Sequence, residues 1–578
     1  MAGATGKSSA ASRPITAAPS AGTPSPAIPR PTTSARSSRS GPRPPVAASC
    51  SGCAARIGNT PTTISRSSRS CPIVDADFPG NHLISFAPGE PKHVDCRMAL
   101  PRLPALRRVL PAVALLGAAS ASAADVTSFG ATGDGRADDT AAIQRAVNAG
   151  GGVRFPTGTF RLTATVTIEL DRTGFVSLLG DGTARVVMAG AGPAFKFVGT
   201  HEGSADPPQF KPNVWERQRA PLVDGLEIVG AHPAADGLLA TGTMQFTVTR
   251  VVLRELRHGI HLAVRNRNVL IADAHIYRCR GIGVFYDQVN LHQSNITGCH
   301  ISYCEGGGVV SRGGNVRNVH LGNCDLESNM GKNSPPTANV LLDSTGGSIG
   351  EVAITGCTIQ HNSTGPDSAN IRILGRGHEA ALERRVGSAA TQEGHVTITG
   401  NVLSDVQINI HLVQARGVTI TGNTFWMAYR HDLLVEDSSN VVVGPNNFDR
   451  NPRYNYGSSQ ETKGGVAFRG SRDCTLTGLH LNGIWRQPAA LEITRCDRFH
   501  VANCTILDSD GLGISLQDTT NSRVAGCVIR DDRPSRQPAA SLVVAGGRGN
   551  WILHNFLAHG AAIAPSAARA EGNHDGKE

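Results

Sequence analysis

From about residue 269 onward the chain repeats one phrase, a short alternation of apolar and polar positions followed by a turn of small residues. The phrase recurs at residues 269–276, 291–301, 319–326, 352–359, 396–403, 418–425, 441–448, 476–481, 499–506, 524–529 and 551–557. Two residues before its last apolar position stands Asn or Cys in most cases: Cys299, Cys324, Cys357, Asn401, Asn423, Asn446, Cys504, Cys527 and Asn555, at intervals of 25, 33, 44, 22, 23, 58, 23 and 28 residues. Each repeat holds a second alternating stretch, as in Gly281-Ile282-Gly283-Val284, Asn409-Ile410-His411-Leu412 and Gly513-Ile514-Ser515-Leu516. A strand advances about 3.3 Å per residue, so roughly 22–25 residues of strand and turn close one circuit, and circuits stack about 4.8 Å apart as parallel sheets. The pattern predicts an all-β fold, a parallel β-helix whose alternate side chains fill the interior while the others face outward. The Asn and Cys column reads as a structural ladder, a small polar group at one inward turn of every coil. Its cysteines point the same way in successive coils, a poor disposition for disulfides, so they are expected to be free. The pair Cys279 and Cys304 is left open.

The first part of the chain lacks this pattern. Residues 1–97 are Ser, Pro, Ala, Arg and Gly in no period, a disordered segment or one that is not translated. Met98 opens a secretory signal pattern: Arg102, Arg107 and Arg108, an apolar run over 109–119 too short to span a bilayer, and an Ala121-Ser122-Ala123 cleavage box. Translation is therefore expected to begin at Met98 and the mature protein near Ala124, secreted or periplasmic and not held in a membrane after cleavage. The expected organisation is a cap and first coils over 124–220, helical repeats over 221–560 and a flexible tail over 561–578.

Charge changes the picture once it is divided. The 578 residues carry a formal charge of +9, but residues 1–97 hold 11 Lys/Arg against 4 Asp/Glu and the signal segment adds three arginines. The remainder has 41 against 42. A nearly neutral body gives no warrant for a nucleic-acid partner. Cys50-x-x-Cys53 in the leader has no second ligand pair in a foldable context, and Asp134, Asp138 and Asp139 read as helix-capping groups, so no metal site is expected.

At the mature N-terminus, Phe129-Gly-Ala-Thr-Gly-Asp-Gly-Arg-Ala-Asp-Asp-Thr-Ala-Ala-Ile-Gln144, followed by the glycines from Gly150, resembles the opening of the pectate-lyase-like superfamily of the rhamnogalacturonase and epimerase kind. With the repeats, the resemblance spans about residues 125–560. It implies a right-handed, pectin-lyase-like β-helix plugged at its N-terminal end by a short helix, placed here over residues 141–147 with Asp139 or Thr140 as N-cap and Gly150-Gly151-Gly152 as its stop. It also implies a polysaccharide substrate. The Asn-Thr-Asp, Asp-Asp, Gly-His-Gly and Arg-Ile-Lys series of polygalacturonases and the Asp-Pro-His motif of mannuronan epimerases are not found. Arg430-His431-Asp432 and Asp531-Asp532 are fragments in other surroundings.

Aligning the strands after the variable loops gives two outward columns. The first reads Leu239, His261, Gly283, Gly308, Leu341, Arg372, His411, Leu434, Ala467, Glu492, Ser515 and Val543. The second reads Thr241, Ala263, Phe285, Val310, Asp343, Leu374, Val413, Glu436, Arg469, Thr494, Gln517 and Ala545. Asp343, Arg372, His411, Glu436, Arg469 and Glu492 thus fall on six consecutive coils, beside loops bearing Tyr429, Tyr454, Tyr456 and Trp485. Aromatic faces beside charged groups suit sugar rings. Glu436 and Glu492, two coils or about 9.6 Å apart by coil spacing, match the carboxyl pair of an inverting glycosidase, with Arg469 between them. Alternatively His411 supplies the proton while Arg372 and Arg469 clamp a uronate carboxylate. The expected function is an exported glycoside hydrolase; a uronate lyase or epimerase, with calcium as its cofactor if a lyase, and a noncatalytic glycan-binding β-helix are the competing readings. A bland reading stands beside all three: Glu436 and Arg469 as a cross-strand ion pair on a solvated sheet, His411 a surface residue and Trp485 a loop anchor.

Overall fold

A computed structural model of the chain describes residues 123–202, 210–375, 394–450, 459–535 and 540–576. The leader expected over residues 1–97 and the signal expected over 98–123 lie outside them, Ala123 excepted.

The alternation in the repeats becomes stacked parallel strands. In strand Arg416–Thr421, Val418 and Ile420 are buried while Thr419 and Thr421 are not. Val396, Val418 and Val441 form one stripe through three coils, and Ile398, Ile420 and Val443 the next. After the strand, Gly422 at φ 68° makes a left-handed turn that a side chain rarely adopts. Asn423 then turns inward and Phe425 enters the core. The strands form two stacks, one of 28 and one of 17, wound around a continuous core of Val, Ile, Leu and Phe. The expected parallel β-helix is the fold.

The asparagine ladder is present as a hydrogen-bonded chain. Asn401 Nδ2 donates to Asn423 Oδ1 at 3.0 Å, and Asn423 Nδ2 donates to Asn446 Oδ1 at 3.0 Å. The backbone N–H of each also donates to the amide oxygen of the next coil, at 2.9 Å. Cys357 and Cys527 cap the same arrangement through their N–H groups. A second amide ladder that the sequence did not reveal runs Asn329, Asn339, Asn370, Asn409 at the strand entrances and ends on the carboxylate of Asp432.

All nine cysteines among the described residues are free and buried, Cys279 and Cys304 included. Burial pushes the Cys474 thiol up to about 12, which suppresses the reactive thiolate. Because all nine are buried, a thiol reagent is expected to spare them in the native protein and to titrate them only after denaturation. Rapid native labelling of Cys279 or Cys304, located by mass spectrometry, would contradict this packing.

Two expectations are corrected at the ends. The N-terminal helix runs Thr140–Ala149, longer than expected, and stops at Gly150. Its N-cap residue is Asp139, but that carboxylate is spent on the N–H groups of Thr132 and Gly133, and Asp138 accepts from the Thr140 N–H instead. In place of a flexible tail over 561–578, strands Ala561–Ile563, Ala568–Glu571 and His574–Asp575 pair in parallel with the preceding coil. No helix of the described residues is long and apolar enough to cross a membrane.

Candidate functional site

Register decides which side chains share a face. Arg372, His411, Leu434, Ala467 and Glu492 are successive partners in one column. Asp343, Leu374, Val413, Glu436, Arg469 and Thr494 form the other. The six ionisable residues do occupy six consecutive coils. Nearer the N-terminal end the columns differ from expectation: Phe285 and Val310, not Gly283 and Gly308, continue from His261, and Asp287 and Arg312 take the second column. Strand Ile282–Thr297 runs on through the bend between faces, so no turn residue marks the frame there.

The centre of the stripe is a chain of donors and acceptors. Arg372 Nε donates to His411 Nδ1 at 3.2 Å, and His411 Nε2 lies 2.9 Å from Glu436 Oε2. A guanidinium only donates, so His411 Nδ1 carries no proton and its Nε2–H donates to Glu436. Burial holds the imidazole below its usual pKa, consistent with this neutral tautomer. On the next coil Arg469 NH1 lies 3.5 Å from Glu436 Oε1. Glu436 is thus held from both sides across three coils, with a third of its side chain exposed.

Arg372 is not the outward clamp expected. It is 5% exposed, and its remaining nitrogens donate to Thr337 O at 2.8 Å and to Asp367 O and Oδ2 at 2.6 and 3.1 Å. Asp367 also receives Arg430 NH1 at 2.5 Å. The segment carrying Asp367 lies over the outward face and covers it. His411, 9% exposed and already donating, is likewise no free proton source. Both are positioning groups for Glu436. Asp343, expected to bind substrate, accepts from the Thr345 N–H and hydroxyl at 3.0 and 2.6 Å, a local turn contact.

Glu492, half-buried, sits two coils beyond Glu436, and burial raises its carboxyl above the usual range, with Arg469 opposing. The two glutamates occupy different columns. Two coils plus two residues along the strand put their Cα atoms about 12 Å apart, not 9.6 Å. The spacing criterion for glycosidases applies to the carboxyl groups, and a backbone separation of about 12 Å reaches the inverting range only if the two side chains lean toward each other over Arg469.

The aromatic loops make a second feature. Trp426, Trp485, Ile484, Phe425, Arg450 and Asp432 help line a cavity of about 150 Å³. Trp485 has the Arg450 guanidinium 3.9 Å from its ring centroid, so one face is covered and the residue anchors its loop. Tyr429 is half-buried in the strand that carries Glu436. Tyr454 and Tyr456 lie outside the described residues. Asp432 is buried, and accepts from Asn409 Nδ2 at 3.1 Å and the Gly465 N–H at 2.8 Å. Burial raises its carboxyl to about 6. His431 beside it is pushed down to about 4, first by burial and then by Arg469 and Arg430. The sequence offered Arg430-His431-Asp432 as a fragment only. Its one available signal was an Asp where the alternation of the second ladder has Asn.

Residues 123–220 match the family model described as rhamnogalacturonase A/epimerase, pectate lyase-like, and residues 217–359 and 338–485 match that of the right-handed β-helix region. The chain is a right-handed β-helix protein that opens on a pectate-lyase-like stretch. Among curated protein sequences none matches. Solved structures of similar fold include tailspike protein 3 of bacteriophage CBA120, at 11% identity and a TM-score of 0.39 over 78% of this chain. The chain spans 61% of that protein's length. The tailspike of E. coli bacteriophage HK620 in complex with a pentasaccharide matches at 11% identity and 0.40, over 74% of this chain and 80% of its own. The catalytic unit of the GH87 α-1,3-glucanase from Streptomyces thermodiastaticus strain HF3-3 matches at 15% and 0.34, over 74% and 69%.

Proposed function

We propose that this β-helix protein is a carbohydrate-active enzyme, a glycoside hydrolase whose polysaccharide substrate lies across the stripe of Glu436, Arg469 and Glu492. The observation that carries the reading is the unequal treatment of two carboxylates two coils apart, on either side of Arg469. Glu436 is oriented by the His411 N–H and Arg469, an arrangement for an acceptor that takes a proton from water. Glu492 has its proton favoured by burial, as a general acid requires. Protonation of the glycosidic oxygen by Glu492 and attack of a Glu436-activated water from the opposite face would invert the anomeric centre. Arg469, 38% exposed between them, is placed to bind substrate oxygens. A uronate lyase is disfavoured because Arg372 and His411, two of the three groups it would use, are already engaged with protein partners.

The test is a polysaccharide panel with the full chain. Reducing ends without new ultraviolet absorbance are expected; an unsaturated uronate product would overturn hydrolysis in favour of elimination. Binding without turnover, unchanged in Glu436→Gln and Glu492→Gln, would make the protein a noncatalytic glycan binder. We also infer export from the signal pattern at Met98, so N-terminal sequencing of protein from the periplasm or medium is expected to begin near Ala124.

A further inference from the structure

We propose that His300, Asp325 and Glu327, joined by His361, form a binding site for a divalent transition-metal cation of the zinc class, on the other strand stack from the glutamate stripe. Parallel register builds it. Strand His300–Ser302 pairs with strand Asp325–Glu327, so His300 lies against Asp325 and the small Ser302 against Glu327. The next strand, Thr358–Gln360, continues the stack, and His361 follows it in a left-handed turn at φ 67°.

His300 Nε2 lies 3.6 Å from Asp325 Oδ2 and 3.9 Å from Glu327 Oε2, and His361 Nε2 lies 3.4 Å from Glu327 Oε1. The donor atoms of His300, Asp325 and Glu327 all fall within 4.8 Å of one another. The His300 separations are too long for hydrogen bonds. The 3.6 Å separation is that of ligands sharing an ion, since bonds of about 2.0–2.2 Å in a tetrahedral site leave donors about 3.3–3.6 Å apart, and the 3.9 Å separation lies just beyond it.

A second observation points the same way. His300 Nε2 and Asp325 Oδ1 are buried atoms without a hydrogen-bond partner among the described residues, though part of each side chain is exposed. Buried polar atoms left unmade are costly, and a cation held by His300 Nε2 and the Asp325 carboxylate would satisfy the imidazole nitrogen directly. Outside the donor set, Asp405 Oδ2 is 3.7 Å from His361 Nδ1, and Ser404 Oγ donates to the same carboxylate at 2.9 Å. At 3.7 Å this carboxylate makes no hydrogen bond to the free ring; it would close on the Nδ1–H when His361 binds metal, the arrangement that orients a ligand histidine. Two imidazoles with two carboxylates select zinc, cobalt or nickel over calcium, which takes oxygen ligands. Bound metal would tie three successive coils together.

The test uses the full chain without a histidine tag, stripped with chelator and titrated separately with Zn²⁺, Co²⁺ and Ca²⁺. One Zn²⁺ per chain is expected, with a higher melting temperature, visible Co²⁺ bands of tetrahedral intensity and no competition from Ca²⁺. His300→Ala and Asp325→Asn should each weaken Zn²⁺ binding at least tenfold, Asp405→Asn about tenfold through His361, and His320→Ala not at all. Absence of saturable Zn²⁺ binding, or parent-like affinity in both His300→Ala and Asp325→Asn, overturns the site. Should His300→Ala fail to fold, the Co²⁺ spectrum of the parent decides: bands without nitrogen-ligand character sink the proposal. None of these readouts involves polysaccharide turnover, so this site and the glutamate stripe stand or fall separately.

Discussion

Glu492→Gln is expected to lower kcat on polysaccharide by roughly 10²- to 10⁴-fold, the usual contribution of a positioned general acid, with little change in KM. The amide keeps the shape of the side chain but has no proton to give. The sign of the pH effect follows from the burial that raises the carboxyl. The acid works while protonated, so the rate should fall as pH rises through the raised pKa, placing the basic limb above the ordinary carboxylate range. The variant should lose that limb. A substrate whose leaving group needs no proton, such as an aryl glycoside with an acidic phenol, should be hydrolysed far better by the variant than the polysaccharide is. Equal turnover of polysaccharide by parent and variant would remove Glu492 from the chemistry. Glu436→Gln should be impaired on both substrates.

Phe448→Ala is expected to cost about 3–5 kcal/mol of stability, the range for deleting a buried aromatic ring. Phe448 is 1% exposed and stacks on Phe425 of the preceding coil, with centroids 4.5 Å apart and planes within 11°. In a solenoid each coil leans only on its neighbours, so the cavity opens between two coils and weakens their interface. A double-mutant cycle with Phe425→Ala should return a coupling of about 0.5–1.5 kcal/mol. Urea unfolding followed by circular dichroism measures both. A loss below about 1 kcal/mol, the scale of a small surface change, would mean the rings do not share one interior stripe.

Much of this was legible in the alternation of side chains. Period two told which residues turn outward, and the turn of small residues before each phrase fixed the frame well enough to bring His411, Glu436, Arg469 and Glu492 onto consecutive coils. It could not tell what lies over an outward residue. Arg372 and His411 have the parity of surface groups, yet Thr337 and Asp367, from segments between strands, close over them. No local pattern announces such a cover, because the contacts cross 35 residues in one case and 5 in the other. The frame slipped only around Gly283 and Gly308, where one long strand crosses the bend without a marker. The His300, Asp325 and Glu327 group was invisible for a related reason: its members become neighbours through the register of two coils, at a spacing that resembles no ligand motif.

The asparagine ladder has a consequence for how this protein can vary. Between Cys324, Cys357 and Asn401 the chain takes 33 and 44 residues, yet the N–H of Cys357 still meets the amide of Asn401 at 2.9 Å. The surplus does not separate the rungs, and the spine does not register it. Lineages of such a scaffold are free to rewrite what lies between the rungs, the proposed glycan-facing rim included, while leaving the axle untouched.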